Sequence, residues 1–374
     1  MTSSPTFLSE LAQTPYALLF AGQATPWRAC LDEAATDASL TTPLSGALEA
    51  TDRLLSPVRM DLATLGVASL DLDLSSAGEE SAAPARRSAD TASDASPSHS
   101  VPGILLAQYA TLMSLALDGL DTRSHPPVAV EGHSQGVLGV ELQRVWQQGD
   151  TAGIEAVLAL ARLIGAATSR ETRRLGLHSR GEATAMVSVR RLPEEILRSI
   201  VEGHDGLGHP VSIGVRNDRR THVLSGYPED LTLVVAAIEK VAARDKAEHA
   251  AHRRGGAPLS PVCEFLPVDA PFHSELLEGA LEQTLSWATT CGMDREWARG
   301  LARGVLIDHV DWPAQVRDAV SQGAHWLIDV GPGATLTRMT RLVLEGSGVG
   351  VTSAGTQEDR DRLSTPGFRP PAPS

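Results

Sequence analysis

The chain of 374 residues is long enough for two or three structural units and a sizeable core. Apolar residues make up 42 % and charged residues 21 %, a globular composition, while aromatic residues at 4 % are too few for a stacking surface that binds nucleic acid. The 32 Lys and Arg against 46 Asp and Glu give a net charge of −14, which disfavours attraction to nucleic acid or to an anionic membrane surface.

The cysteines and the apolar segments indicate an intracellular protein. Cys30, Cys263 and Cys291 have no C-x-x-C spacing and are predicted to be reduced core residues. Residues 1–14 lack the basic and apolar regions of a secretory signal, so we expect a cytoplasmic location. Residues 153–168 are the most apolar long stretch, but they contain charges and fall short of the ~20 residues of a membrane span, so no transmembrane helix is predicted.

The first part of the chain has the pattern of a parallel α/β sheet. Apolar runs at 16–20 and 128–130 predict buried strands, each followed by a glycine turn. Helical spacing follows at 101–117 and 137–146, whereas 75–100 lacks large apolar residues and is predicted to be a disordered surface loop. In such sheets, ligand sites lie at the carboxyl ends of the strands.

From residue 185 the pattern changes to β-α-β-β-α-β, the ferredoxin-like order. The predicted elements are strands 185–190, 211–215, 221–225 and 262–268 and helices 193–201 and 228–244. Residues 245–258 are polar and glycine-rich, so a flexible loop is expected there. A strand at 326–330 before another glycine turn indicates that the first unit resumes.

These patterns predict an α/β fold with two subdomains. The large subdomain, α/β-hydrolase-like with a parallel sheet, would comprise 1–180 and 271–356, and a ferredoxin-like small subdomain at 181–270 would be inserted into it. Residues 357–374 are predicted to be a linker or tail, because the last eleven contain four prolines. With the initial Met, that tail suggests a domain taken from the start of a multienzyme chain, although a standalone protein remains an alternative.

The motif Gly132-His-Ser-Gln-Gly136 fits G-x-S-x-G, in which small residues permit a sharp turn that exposes the serine hydroxyl. Because a strand precedes it and a helix-compatible run follows, we predict that Ser134 is a nucleophile. The helix start after the serine would add positive potential for an oxyanion. An ordinary strand-to-helix turn is the alternative.

A nucleophilic serine needs a base within hydrogen-bond reach. His133 is adjacent to Ser134, so its side chain should point away and serve packing. His204 and His209 lack a third metal ligand at suitable spacing and are expected to be solvated. His273 lies where the small subdomain returns the chain to the large one, a junction at which clefts form.

Five ordered motifs resemble those of malonyl/acyl-CoA:acyl-carrier-protein transacylases over roughly residues 16–356. The Gly-Gln-x-Thr-Pro-Trp and Gly-His-Ser-Gln-Gly-Val patterns look most like the acetyltransferase (AT) domain of fungal and actinobacterial type I fatty acid synthases. The motifs are Phe20-Ala-Gly-Gln-Ala-Thr-Pro-Trp27, Gly132-His-Ser-Gln-Gly-Val137, Asn217 with Val223-Leu-Ser-Gly226, Pro271-Phe-His-Ser274 and Asp329-Val-Gly-Pro-Gly333.

The resemblance implies that Ser134 takes an acyl group from coenzyme A and passes it to a carrier-protein phosphopantetheine thiol. His273 would be the base, oriented by the backbone carbonyl of Val305. The oxyanion hole would be formed by the N–H of Gln135 together with Gln23. Ala24 replaces the usual glycine after that first glutamine, a variation that should be tolerated.

Substrate choice is inferred from what the sequence lacks. Malonyl-selective relatives have a Glu and an Arg where this chain has Val137 and Ile164, so the resemblance implies no partner for a malonyl carboxylate. Burying that carboxylate alone would cost several kcal/mol, about the penalty of an unpaired buried ion. Arg162, two residues before Ile164, should face another direction on its helix.

Some residues keep two interpretations. Asn217 either lines the active site, as its family counterpart does, or caps the turn before Thr221. The arginine pairs at 173–174, 219–220 and 253–254 are expected to be solvated. The alternative is that one of them contacts an acidic carrier protein.

The resulting hypothesis is an acetyl-CoA:acyl-carrier-protein S-acetyltransferase that loads the starter unit of fatty acid synthesis through O-acetyl-Ser134. No metal or redox cofactor is expected; acetyl-CoA is the substrate, and the partners are a carrier protein and other synthase domains. The alternatives are a transacylase for malonyl or other acyl groups, a serine thioesterase or hydrolase with the same Ser134–His273 pair, and a catalytically weak scaffold of a larger synthase.

Overall fold

The computed structural model describes residues 5–23, 25–65, 96–177, 183–203, 206–252 and 257–371. Most of the predicted loop at 75–100 lies outside the described residues, as do Ala24, His204 and the arginine pair at 253–254.

A four-stranded parallel sheet forms the centre of the large subdomain, with the strand order β2-β1-β8-β9. All five residues of β1 are buried, because helices cover both faces of the sheet. The registers pair Phe20 with Gly132 and Leu19 with Asp329, so the carboxyl ends of β1, β2 and β8 meet at one edge. The strands are β1 (Tyr16–Phe20), β2 (Ala129–Gly132), β8 (Trp326–Asp329) and β9 (Gly350–Ser353).

The helices of the large subdomain pack around this sheet and bury most of the core. In chain order they are α1 (Phe7–Leu11), α2 (Trp27–Ala35), α3 (Ala38–Leu54), α4 (Arg59–Thr64), α5 (Pro97–Leu117), α6 (Val137–Gln147), α7 (Thr151–Arg174), α10 (Glu278–Thr290), α11 (Arg295–Leu306), α12 (Trp312–Ser321), α13 (Thr335–Val343) and α14 (Gln357–Leu363). The predicted α/β class and parallel sheet are confirmed.

Helix α5 is longer than the predicted 101–117, and α7 extends beyond the apolar stretch at 153–168. Each is long and apolar enough to cross a membrane, but 89 % and 72 % of their most apolar 18-residue stretches are buried inside the protein. The two helices pack against each other. Helix α5 begins at Pro97, within the predicted loop, because proline suits the first turn of a helix and the Ser98 N–H donates to Ser169 Oγ (3.0 Å).

The second sheet has the order β6-β3-β5-β4-β7, and its first four strands have the predicted ferredoxin-like topology. The elements are β3 (Met186–Arg190), α8 (Glu194–Glu202), β4 (Ser212–Arg216), β5 (Thr221–Ser225), α9 (Pro228–His252), β6 (Val262–Phe265) and β7 (Val310–Asp311). Strand β7, which the sequence did not reveal, comes from the large subdomain and pairs in parallel with β4. A backbone ladder therefore joins the two subdomains.

Helix α9 continues to His252, so the predicted loop from residue 245 begins too early. The Asp245 carboxylate accepts a hydrogen bond from the Leu259 N–H (2.8 Å), and the Asp245 carbonyl bonds the His249 ring (2.9 Å). These bonds hold the last helical turns and the returning chain together.

The predicted linker from residue 357 is wrong for the described residues up to 371. Thr356 caps α14 by accepting from the Asp359 N–H (3.1 Å). Leu363 is buried and Phe368 packs against the main core, while the buried Arg360 donates to the Ala354 carbonyl (3.1 Å). Apolar side chains before and within the proline-rich stretch, Leu363 and Phe368, thus anchor this segment to the large subdomain.

Candidate active site

Ser134 occupies the sharp turn between β2 and α6, with φ of +59°. A positive φ is unusual for a residue with a side chain and marks a constrained turn. The flanking glycines are required by packing: a Cβ on Gly136 would lie 2.0 Å from the Phe20 carbonyl oxygen, and one on Gly132 would lie 2.4 Å from the backbone of Gly136. The serine is therefore held at the carboxyl end of β2, next to that of β1.

His273 connects Ser134 to the backbone of the large subdomain. Its Nε2 lies 2.7 Å from Ser134 Oγ, and its Nδ1 lies 2.7 Å from the Asp308 carbonyl oxygen. The His273 N–H donates to the Leu306 carbonyl (2.8 Å), and the residue has φ of +60°. Gly214 makes room, because a Cβ there would lie 2.7 Å from the His273 Cβ.

The resemblance implied that the Val305 carbonyl orients His273, but the structure shows that the Asp308 carbonyl makes this contact. Val305 is the penultimate residue of α11 and its side chain is fully buried. Its carbonyl follows the helix axis, whereas the chain has left the helix at Asp308, where a carbonyl can turn toward the imidazole.

The environment of His273 determines its protonation. Burial lowers the pKa of the imidazole to about 4; the bond to the Asp308 carbonyl opposes this shift, and His133 and His309 add to it. The ring is therefore neutral at pH 7. Since a carbonyl only accepts, Nδ1 carries the proton and Nε2 is left to accept from the Ser134 hydroxyl.

The glutamines named as oxyanion donors lie together beside Ser134. The Gln23 side-chain amide donates to Gln135 Oε1 (2.6 Å), and Gln135 Nε2 donates to the Val101 carbonyl (2.6 Å). A Cβ on Gly22 would lie 3.2 Å from the Gln135 nitrogen, so the loop after β1 closely approaches the sharp turn at residues 132–136, here called the elbow. These side chains hold each other, and the backbone N–H groups are the candidates to face an oxyanion.

His133 points away from Ser134. Its Nε2 lies 2.8 Å from Asn217 Oδ1, and its ring packs edge-on against Trp312 at 5.4 Å. Burial lowers the pKa of His133, so this ring is also neutral at pH 7. The Asn217 N–H bonds the Thr221 carbonyl (2.9 Å), and Asn217 lines the cavity described next, so it both closes its turn and borders the site.

A cavity of about 160 Å³ opens at Ser134 and His273 between the two subdomains. Its far wall is aliphatic, and no Arg or Lys occurs among the described residues that line it. Besides Ser134, His273, His133 and Asn217, the lining residues are Ala21, Gly22, Gln23, Thr25, Met186, Val215, Val223, Leu266, Val268, Thr335, Leu336 and Met339.

Neither of the two predicted specificity residues lines this cavity. Ile164 is fully buried in the core on α7, and Val137 packs next to Gly304. Arg162 forms an ion pair with Asp52 and also lies away from the cavity. Side chains from β3, β4, β5 and α13 line the cavity instead. The apolar pattern of these elements does not show which face of each strand or helix is turned toward Ser134.

Two buried polar residues shape the strand ends, and only one of them, Asp329, belongs to a motif seen in the sequence. Gln108 on α5 donates to the Ala21 carbonyl (2.8 Å) and to the Gly331 carbonyl (2.9 Å). Asp329 accepts from the N–H groups of Gly331 (3.0 Å) and Thr337 (2.9 Å), and burial raises its pKa to about 7. These bonds tie the loops after β1 and β8 together beside the cavity.

The remaining candidates have local partners. Among the described residues, no group of His, Cys, Asp and Glu could hold a metal ion. His209 stacks on Tyr227 and bonds Asp230 (3.0 Å). Arg173 donates to the carbonyl of Leu65 (3.1 Å), and its neighbour at 174 pairs with Glu171.

The sequence is similar to parts of known fatty acid synthases. The profile "Fatty acid synthase central AT domain" matches residues 185–265, the small subdomain. Fatty acid synthase subunit beta of Aspergillus oryzae is 25 % identical in an alignment of 209 positions that covers 48 % of this chain, and this chain spans only about 10 % of that relative.

Solved structures share the fold over nearly the whole chain. MCAT from Mycobacterium tuberculosis has a TM-score of 0.59 at 19 % identity, with 94 % of this chain and 99 % of that one covered. MCAT from Streptococcus pneumoniae has 0.60 at 18 %, covering 93 % and 99 %. The acyltransferase domain from the second module of the salinomycin polyketide synthase has 0.58 at 20 %, covering 94 % and 72 %.

The similarity spans both subdomains in structure and the small one in sequence. The resemblance drawn from the five motifs is thus confirmed: the chain is similar to acyl-carrier-protein transacylases and carries, at residues 185–265, a match to the AT domain of fatty acid synthases.

Proposed function

We propose that this protein is an acyl-CoA:acyl-carrier-protein transacylase that loads acetyl starter units for fatty acid synthesis, acting in the cytoplasm. The observation that carries the proposal is the chain of hydrogen bonds from Ser134 through His273 to the Asp308 carbonyl. Ser134 and His273 border a largely aliphatic cavity, and no Arg or Lys is found among the described residues that line it. A metal or redox cofactor has no role in this chemistry.

In the first half-reaction, Ser134 Oγ attacks the thioester carbonyl while His273 Nε2 accepts the hydroxyl proton. The N–H groups of Gln23 and Gln135 receive the oxyanion, and the start of α6 adds positive potential. The C–S bond then breaks, His273 returns its proton to the departing sulfur, and O-acyl-Ser134 and free coenzyme A remain.

The second half-reaction reverses these steps with a new thiol. The phosphopantetheine thiol of a carrier protein gives its proton to His273 and attacks the Ser134 ester. Collapse of the tetrahedral intermediate breaks the bond to Oγ, which regains the proton from His273. The carrier thioester leaves and the free enzyme is restored, so the kinetics should be ping-pong.

Selectivity for acetyl over malonyl follows from the charge of the cavity. A malonyl group would bring a carboxylate among Met186, Val215 and Leu266, at a cost of several kcal/mol for an unpaired buried charge. An acetyl methyl group has no such cost. Val137 and Ile164 are not among the residues that line the cavity.

The test is the intact mass of the protein after separate incubation with acetyl-CoA and malonyl-CoA, with Ser134→Ala as control. We expect an acetyl adduct that is absent from the variant, and at least tenfold less malonyl adduct. A strong malonyl adduct would refute the selectivity. Release of free coenzyme A without any adduct would favour a hydrolase, and holo-carrier protein added to the acetyl-enzyme distinguishes transfer from loss to water.

A further inference from the structure

A second groove with a volume of about 510 Å³ lies beside the active-site cavity. We call it the arginine groove; it is lined by Asp218, Arg219, Arg220, Pro313, Arg317, Leu342, Val343 and Glu345. Its volume falls in the range of ~300–1,000 Å³ that is typical of small-molecule sites.

Two elements run from the cavity to the arginine groove. On the β4–β5 hairpin, Asn217 borders the cavity and the next three residues border the groove. On α13, Met339 lines the cavity, and Leu342, one turn further along, lines the groove. The groove therefore lies next to the cavity, with neighbouring residues of the same hairpin and the same helix lining both.

The cations in the groove are available for a ligand. Arg219 and Arg317 are exposed and form no ion pair with any residue in the described ranges. Arg220 donates to the Arg191 carbonyl (3.1 Å), which holds it in place without neutralising it. The acidic groups are Asp218, which accepts from the Arg220 N–H (2.7 Å), and the exposed Glu345.

We infer that the arginine groove binds the phosphates of the coenzyme A nucleotide while the thioester lies at Ser134. The inference rests on the proposed function for the position of the thioester. Guanidinium groups are the side chains best matched to phosphate, because they donate paired hydrogen bonds and keep their charge. The exposed Leu342 offers an apolar surface beside them for a base or for the gem-dimethyl part of the pantetheine arm.

A phosphate site predicts that donors with and without phosphates respond differently to its loss. S-acetylpantetheine carries the same thioester as acetyl-CoA but lacks every phosphate. We would compare Arg219→Ala/Arg317→Ala with the native protein in single-turnover acylation of Ser134 at subsaturating donor. Arg53→Ala is the matched control, since Arg53 is an exposed arginine on α3 that does not line the groove.

We expect the double variant to react at least tenfold more slowly with acetyl-CoA and no more than about twofold more slowly with S-acetylpantetheine. Added salt should narrow the difference between the native protein and the variant, because it screens exposed charges. An equal loss with both donors, or no loss with acetyl-CoA, would overturn the inference. So would slower transfer to holo-carrier protein with unchanged loading, because the groove would then receive the carrier.

Direct binding separates this inference from the proposed function. In a Ser134→Ala background, the two arginine substitutions should raise the Kd of coenzyme A at least tenfold by calorimetry. Arginine-dependent binding without any acylation of the native protein would refute the proposed function and support the phosphate site in the arginine groove. Acylation of the native protein together with an unchanged Kd in the variant would support the proposed function and refute the phosphate site.

Discussion

The carbonyl oxygen of Asp308 lies 2.7 Å from Nδ1 of His273, on the opposite side of the ring from Ser134. A backbone atom therefore takes the place that a carboxylate holds in a Ser-His-Asp triad. The Asp308 side chain is turned to solvent and pairs with Arg303 (2.8 Å). The identity of residue 308 should matter far less than that of residue 273.

Replacing Asp308 by Asn should lower the rate of Ser134 acylation by less than about threefold, because the carbonyl that orients the imidazole is kept. His273→Ala, which removes the base, should lower it by about 10²–10⁴-fold. Single-turnover mass spectrometry with acetyl-CoA measures both rates. A loss with Asp308→Asn as large as that with His273→Ala would assign the catalytic contact to the carboxylate.

Acylation should persist in mild acid, since only the neutral imidazole accepts the serine proton. With a pKa of about 4 for His273, about nine-tenths of the protein is competent at pH 5, and the rate should halve near pH 4. An ordinary histidine would leave only a few per cent neutral at pH 5. The groups that act on the pKa of this ring, His133, His309 and Asp308, are all retained in the experiment.

The pH profile needs a folding control with a defined sign. Unfolded histidine has its ordinary pKa, so His273 binds more protons in the unfolded chain than in the folded one between pH 6.5 and 4, and its contribution to stability falls as the pH falls through that range. Circular dichroism at each pH shows whether the protein remains folded. A rate midpoint near 6.5 in folded protein would contradict a buried neutral base.

Gly136→Ala should destabilise the fold as well as the site. The new Cβ would lie 2.0 Å from the Phe20 carbonyl oxygen, so the elbow must move away from β1. We expect a loss of about 3 kcal/mol in the free energy of unfolding, measured with urea.

Gly46→Ala is the matched control, because a Cβ at this position on α3 meets no atom within 4 Å. It should stabilise the protein by roughly 0.5–1 kcal/mol through helix propensity. Equal stability of Gly136→Ala and the native protein would show that the elbow tolerates a wider turn.

Met186→Ala should shift donor preference toward longer acyl chains. Met186 lines the far wall of the cavity on β3, and its truncation extends the apolar space. Two additional methylenes that become buried are worth about 1.6 kcal/mol, so the ratio of butyryl to acetyl loading should rise about tenfold. Competition between the two CoA thioesters, read by intact mass, gives this ratio directly.

Met60→Ala is the control for that experiment, since the Met60 side chain is 75 % exposed. Its loading ratio should match that of the native protein. If Met186→Ala also leaves the ratio unchanged, the acyl chain does not enter the space beside β3.

The elements that were predicted well are those whose conformation depends on residues close to each other in the sequence. The glycines around Ser134 are needed by a turn only five residues long, so the motif alone indicated the elbow. The order β-α-β-β-α-β follows from apolar periodicity along each segment. Helix ends were less well predicted, as in α9, because Asp245 stabilises them through Leu259, fourteen residues away.

The errors concern contacts between distant segments. Val305 was assigned from an alignment, but only the course of the chain after α11 decides which carbonyl reaches His273. Ile164 was chosen because it stands where malonyl-selective relatives have an Arg, yet its side chain is fully buried in the core. The last segment contains the prolines of a linker and still packs, because Leu363 and Phe368 find apolar partners on the large subdomain.

By itself, the sequence determined most strands of the two sheets, the two-subdomain order, the sharp turn at Ser134 and the resemblance that implies roles for Ser134 and His273. The tertiary structure alone decided that the Asp308 carbonyl contacts His273, that β7 pairs with the second sheet, and which side chains line the cavity beside Ser134. The physical reason is that strand and helix periodicity are set by neighbours along the chain, whereas a hydrogen bond across 35 residues, or a cavity between two sheets, depends on how separate elements pack.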